Sequence, residues 1–198
     1  FAEAAFRSHF SWHITSRANA FDLQGYPPEQ LKTATRKYPC REAHMLEEEF
    51  TRGDFGWIAN HPPGHWDKNS TGVQPDMIEY STSRAAGWNT GTSLWTKLSW
   101  SDPHPRTKDI FEILKRWETA REKNWLSKQQ KTALRDTTQE HILLRDEKNA
   151  LELKPYFPIL QLPTKKIRAF HFKRKNKLYV VYWHTLGQGQ FMLPVNKE

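Results

Sequence analysis

The sequence predicts an α/β fold of parallel βα units up to about residue 135, followed by a small all-β, sandwich-like domain over 136–198. Three observations predict it. Short aromatic and β-branched runs alternate with amphipathic stretches in the first two-thirds of the chain. The longer polar loops are those that leave the strands. After Leu134 the pattern changes, and apolar runs face one another across short polar turns.

Residues 9–15 are aromatic and β-branched and read as a first strand that runs into a polar loop at 16–22. Gly25, Pro27 and Pro28 break the chain before a helical stretch that extends to about Arg52, with Pro39 kinking or dividing it. Residues 54–60 supply a second strand, which leaves into the loop 61–67. Pro75 suits the first position of a helix, where its missing N–H would find no partner anyway. Met77, Ile78, Ser81 and Ala85 share one face of that helix, and Gly87 is expected to end it in the left-handed conformation. A third strand follows at 92–96, with an exit loop from Lys97 to Arg106. Asp109 and Glu112 have the spacing of a capping box, and the helix they open carries Ile110, Ile113, Leu114 and Trp117 on one stripe. Runs at 140–144 and 150–153 form one predicted hairpin, and 167–172 with 178–183 a second. Residues 190–195 are expected to add a fifth strand after the Gly187/Gly189 turn.

Three βα units do not close a barrel, so either further units precede them or the sheet is open. Several segments carry a family resemblance: Ser11-Trp-His-Ile-Thr-Ser-Arg17, Pro75-Asp-Met-Ile-Glu-Tyr80, Gly91-Thr-Ser-Leu94, the helix around Arg116-Trp-Glu118, and Tyr179-Val-Val-Tyr-Trp-His184. They resemble the C-terminal portion of large bacterial proteins of glycoside-hydrolase type, in which a (β/α)8 barrel precedes a β-sandwich. The resemblance implies that residues 1–135 are the C-terminal βα units of a TIM-type (β/α)8 barrel, a partial barrel. It also implies a carbohydrate substrate. The absence of a starting Met and the helix-like opening at Phe1 fit a fragment of such a protein.

In a βα barrel the active site gathers where strands give way to helices. That rule selects 16–22, 60–67 and 97–102. Arg17, Asn19, Asn60, His61, His65, Trp66, Trp95 and Asp102 are the candidate substrate-binding residues, since amides and guanidinium groups bond hydroxyls and Trp faces stack on rings. Glycoside hydrolysis uses two carboxyl groups, and Asp22 and Asp67 are the candidate catalytic pair. Each of these residues has an alternative reading as an ordinary loop position. Glu79 sits in a helix away from the strand ends, and Glu47, Glu48 and Glu49 read as a solvated helix face. His61, His65 and Asp67 imitate a metal site, but Pro62, Pro63 and Gly64 forbid the helix that would aim both imidazoles at one ion. No metal and no cofactor is expected, for there is no nucleophile elbow, Walker loop or dinucleotide fingerprint.

Nine Trp in 198 residues exceed ordinary core needs and suit ring stacking, in an enzyme or in a non-catalytic carbohydrate-binding protein. The net charge of +8 is concentrated late: from Asp136 onward 11 basic residues meet 6 acidic ones. Lys165, Lys166, Arg168, Lys173, Arg174, Lys175 and Lys177 lie among Phe170, Phe172 and Tyr179, a pattern that nucleic acid could also exploit. The plainer reading makes the aromatics core and the lysines a guard on a sheet edge. The single Cys40 excludes an internal disulfide, and no apolar run approaches the roughly 20 residues that span a bilayer. With no signal-peptide pattern, either a bacterial cytoplasmic or an exported location is compatible with the sequence.

Overall fold

The computed structural model describes residues 27–37, 54–190 and 192. The strand expected at 9–15, the helix beyond residue 37 and most of the strand expected at 190–195 lie outside them.

Pro28 opens a single 3-10 turn, Pro28–Gln30, which runs into the short helix α1 (Leu31–Lys37). Strand β1 (Asp54–Ala59) is joined through α2 (Pro75–Gly87) to β2 (Gly91–Trp95). The two strands pair in parallel, Ile58 opposite Leu94 and Ala59 opposite Trp95, so this segment is one βαβ unit. A four-residue turn of helix, α3 (Leu98–Ser101), leads to α4 (Thr107–Glu122) and α5 (Lys128–Arg135). Four antiparallel strands complete the chain in sequence order: β3 (Glu140–Arg145), β4 (Leu151–Pro158), β5 (Ile167–Arg174) and β6 (Lys177–His184).

The barrel and the sandwich are both corrected by this topology. A barrel needs parallel strands in number to close on themselves. Here the described residues contain one parallel pair and one open four-stranded antiparallel sheet. After β2 the chain goes into helices, and no third parallel strand follows among the described residues. Among the described residues no second sheet faces the antiparallel sheet; β3 lies against α2 and α4 instead. The architecture is a small mixed α/β one.

Helix α2 is the axis of the molecule. All thirteen of its residues are buried, although a helix buried on every side is usually apolar throughout. Its hydroxyls solve the problem locally. Ser81 Oγ donates to Met77 O at 3.0 Å, Thr82 Oγ1 to Ile78 O at 2.7 Å and Ser83 Oγ to Tyr80 O at 2.7 Å, so none needs water. Around α2 one core joins Ile58 of β1, Met77, Ile78 and Ala86 of α2, Ile110, Ile113 and Trp117 of α4, Leu134 of α5 and Leu143 of β3. A second cluster, Tyr156, Phe170 and Phe172, sits on the antiparallel sheet.

Two helix boundaries differ from expectation for identifiable reasons. Gly87 is the last residue of α2 and does not take the left-handed conformation; Asn89 does, at φ 56°. Gly87 is small because α5 presses on it: a Cβ there would lie 3.0 Å from Leu134 Cβ. Asp109 does not cap α4. The helix begins at Thr107, and the Asp109 carboxylate instead receives Arg106 at 3.3 Å. The working capping box is at Ser127, whose hydroxyl accepts from Gln130 N while the Gln130 side chain returns to Ser127 N.

Candidate functional site

The residues after β1 form a closed loop that places an aromatic cluster at the ends of the two parallel strands. Val73 N donates to His61 O at 2.8 Å and Gly64 N to Ser70 O at 2.9 Å, so the loop returns to its own start. Gly72, at φ 69°, passes so close to Pro62 that a Cβ would sit 2.6 Å from the Pro62 carbonyl carbon. Only glycine fits that crossing. Glu29 braces the far side: its carboxylate accepts from Ser70 Oγ, Thr71 N and Thr71 Oγ1.

Within this frame the rings of His61 and His65 stack at 4.7 Å, and Trp66 meets His61 edge-on at 5.7 Å. From the neighbouring strand, Trp95 stands at 87° to Trp100, with centroids 5.0 Å apart. His61 and His65 lie 4.8 and 4.7 Å from the Trp100 ring and close the corner. The Lys97 ammonium is placed 4.7 Å from the Trp100 centroid, within reach of the ring quadrupole. Trp100 and His61 are buried, whereas Trp66 and Trp95 remain 42% and 37% exposed. The corner is thus a rigid aromatic base with two open ring faces.

Asn60 lies at the foot of this corner. Its backbone N–H donates to Trp95 O at 3.2 Å. Its side chain is 0% exposed, yet neither amide atom has a hydrogen-bond partner. An amide buried in this way forfeits about 1–3 kcal/mol for each unsatisfied group, a penalty that packing alone does not explain.

Of the residues expected from sequence, Asn60, His61, His65, Trp66 and Trp95 are brought together. Trp100 and Lys97 were not singled out, although the strand-end rule covers them. Asp102 ends α3 as an exposed residue and does not reach the corner through any hydrogen bond or ion pair. Arg17, Asn19 and Asp22 lie outside the described residues. Asp67 is exposed, and its carboxylate accepts from Asn69 N at 2.7 Å in a local turn. It borders a groove of about 520 Å³ shared with Glu29, Lys165 and Arg168.

The expected glycoside hydrolase is corrected at this point. Among the described residues no two carboxyl groups face each other across a strand-end site. The buried carboxylates are engaged in holding the fold. Asp76 receives Lys32 and Arg168, each at 2.7 Å. Glu140 receives Lys32 at 2.7 Å and Arg36 at 3.0 Å. Glu79 accepts from Trp117 Nε1 at 2.9 Å and Leu143 N at 2.8 Å. These are structural pairs. The carbohydrate-substrate expectation falls with the barrel whose loops were to enclose the sugar. Among the described residues no cluster of three or more His, Cys, Asp or Glu is arranged to hold a metal ion, and no helix is long and apolar enough to cross a membrane.

The basic C-terminal segment divides in two. Phe170 and Phe172 are buried in the sheet's cluster, Arg168 is committed to Asp76 and Arg174 to Glu152 at 2.6 Å. Lys165, Lys166, Lys173, Lys175 and Lys177 are exposed. Comparison with protein-family models, with curated proteins and with solved structures finds no match, so the likeness to glycoside-hydrolase-type proteins has no support beyond the segments that suggested it.

Proposed function

We propose that the protein is a binding module, and that the corner formed by Asn60, His61, His65, Trp66, Trp95 and Trp100 takes a nucleobase. The observation that carries this reading is the Asn60 amide, buried with a donor and an acceptor both unspent, in a residue whose N–H bonds to Trp95 O, with Trp66 and Trp95 partly exposed nearby in the loop and strand that flank it. A planar ring with an amide-like edge answers both needs. It offers Asn60 an acceptor and a donor side by side, as adenine does to an Asn in duplex readout, and it stacks on Trp66 or Trp95. Lys97 supplies a cation at the rim for an attached phosphate. The net charge of +8 favours approach of an anionic ligand. The shared chemistry is a base carrying a phosphate, and either a free nucleotide or a single strand of nucleic acid presents it.

The test is a titration of the full chain with nucleoside monophosphates and with short single-stranded oligonucleotides, followed by quenching of Trp fluorescence. Trp95→Ala is expected to weaken binding by about 1–3 kcal/mol, the usual worth of one stacked base. Asn60→Leu should abolish binding while raising stability by about 1–2 kcal/mol, because it removes two unsatisfied buried groups. Steep weakening with salt for oligonucleotides alone would identify a polymer as the ligand. Absence of quenching by every nucleotide and oligonucleotide at millimolar concentration would sink the proposal. So would an Asn60→Leu variant that binds normally.

A further inference from the structure

We propose that the outer edge of the antiparallel sheet, strand β6 with the turns at its ends, docks the protein on an anionic lipid surface. Among the described residues β6 is the last strand of its sheet and pairs only with β5, continuously from Arg174↔Lys177 to Ile167↔His184. Natural edge strands are commonly protected by a bulge, a proline or a charge. From Leu178 to Trp183 this one carries none of the three. Its apolar side chains are also open to solvent. Of the twelve exposed large apolar residues among the described ones, five fall between Leu178 and Leu186: Leu178, Tyr179, Val181, Tyr182 and Leu186. Such a concentration on one strand marks a contact surface.

Positive charge gathers at both ends of the same strand. Lys173, Lys175 and Lys177 surround the turn from β5, and Lys165 and Lys166 lie at the far end, where Thr185 N donates to Lys166 O at 2.7 Å. All five are exposed, and among the described residues none of them forms an ion pair. The carboxylates nearby are spent on other cations, Glu152 on Lys154 and Arg174, and Asp76 on Lys32 and Arg168. The charge complement of this edge is therefore an anion. Two features select a lipid surface over a nucleic-acid strand or an acidic peptide. Leu178, Val181 and Leu186 are aliphatic and offer no face for a base to stack on. Leu178 and Tyr182 project from one face of the strand and Tyr179 and Val181 from the other, so a rigid partner has to enclose β6 from both sides. A fluid interface does so without being shaped to it. Apolar side chains sink about 5–10 Å, to the boundary of headgroups and acyl chains, Tyr rings sit at headgroup level, and lysines meet the anionic heads. At that depth water and headgroups still satisfy the backbone groups of a sheet edge, which hydrocarbon would not.

Co-sedimentation of the full chain with vesicles tests this, with phosphatidylserine mixed into phosphatidylcholine in one set and phosphatidylcholine alone in the other. The chain should pellet with the anionic vesicles and stay in solution with the neutral ones, and added salt should weaken the binding. Lys173→Gln, Lys175→Gln and Lys177→Gln together are expected to weaken it about a hundredfold, at about fivefold for each lysine near such a surface. Leu178→Ser, which changes no charge, is expected to weaken it about tenfold. All four positions are exposed, so the variants keep the fold. No pelleting with anionic vesicles at low salt overturns the proposal, as does equal pelleting with neutral vesicles or a Leu178→Ser variant that binds as the wild type does. If pelleting fails while the lysine substitutions abolish binding of a single-stranded oligonucleotide, the lysines serve nucleic acid instead. If it fails while Leu178→Ser breaks a dimer, a second copy of the chain covers the edge instead. None of the substituted residues belongs to the aromatic corner, so failure here leaves the mononucleotide titration of that corner untouched, and the reverse holds.

Discussion

Asp76 and Glu79 are one helical turn apart on a fully buried helix, and their carboxyl groups respond to burial in opposite ways. Burial pushes Asp76 upward, but Arg168 and Lys32 together more than offset that and leave it below its ordinary value near 3.8. Burial also pushes Glu79 upward; Arg116, the Leu143 amide and the Trp117 indole only partly offset it, and it stays above its ordinary value near 4.5. By linkage, Asp76 contributes stability that is present above 3.8 and is lost as pH falls through its lowered value in the folded state. Glu79 contributes stability that is full below 4.5 and is lost as pH rises through its raised value. Asp76→Asn is therefore expected to be destabilising at neutral pH by about 3–5 kcal/mol, since it takes the anion from Arg168 and leaves Lys32 with Glu140 alone, with the deficit shrinking in acid. Glu79→Gln keeps an acceptor for Trp117 and Leu143, so the wild-type advantage over it should shrink as pH rises from about 4 to about 7. Urea denaturation checks the signs, from neutral pH down through 3.8 for Asp76→Asn and from 4.5 upward for Glu79→Gln. Slopes of the same sign would mean that one of the two assignments is wrong.

At the scale of elements, local signals were readable where the backbone itself demanded a residue type. Pro75 marked the start of α2 correctly, and the stripe of Ile110, Ile113 and Trp117 marked the buried face of α4. Both hairpins of the antiparallel sheet fall where apolar runs flank polar turns, and Lys175 and Asn176 each take positive φ at the second. Misreadings arose where one residue type serves two purposes. Gly87 answers the pressure of Leu134, not a turn, and Asp109 with Glu112 has the spacing of an ion-paired helix face as much as that of a cap. The aromatic corner was half legible as a grouping: strand-end loops gather side chains in any βα unit, so His61, His65, Trp66 and Trp95 could be grouped without the correct fold. The loop that carries them should depend on Gly72. Gly72→Ala is expected to cost about 2 kcal/mol or more, from the left-handed φ and from the overlap with Pro62. It should also loosen the His61–His65 stack. Thermal unfolding measures the first effect, and His ring resonances in NMR the second. A neutral Gly72→Ala would show that the loop does not hold the corner.

The whole molecule was the least legible level, and the reason is physical. Alternation of strand and helix is a local pattern, and it is the same for one βαβ unit as for eight units around a barrel. What decides between them is how many strands lie side by side, which no single segment encodes. The same long-range assembly bears on the division expected near residue 135. Leu143 of β3 lies in one core with Ile58, Ile78, Trp117 and Leu134, and the Glu79 carboxylate ties α2 to α4 and β3 at once. Arg84 of α2 reaches both Leu134 O and Gln139 O, on either side of that division. Shared burial of this kind couples the parts energetically. Thermal unfolding of the chain, followed by circular dichroism and by Trp fluorescence, is expected to show one transition with coincident midpoints. Leu143→Ala should cost about 2–5 kcal/mol and lower both midpoints together, by about 2–4 °C for each kcal/mol at this chain length. Two separated transitions, with only the later strands sensitive to Leu143→Ala, would instead mean that the βα part and the antiparallel sheet fold as independent units and that their common core adds little.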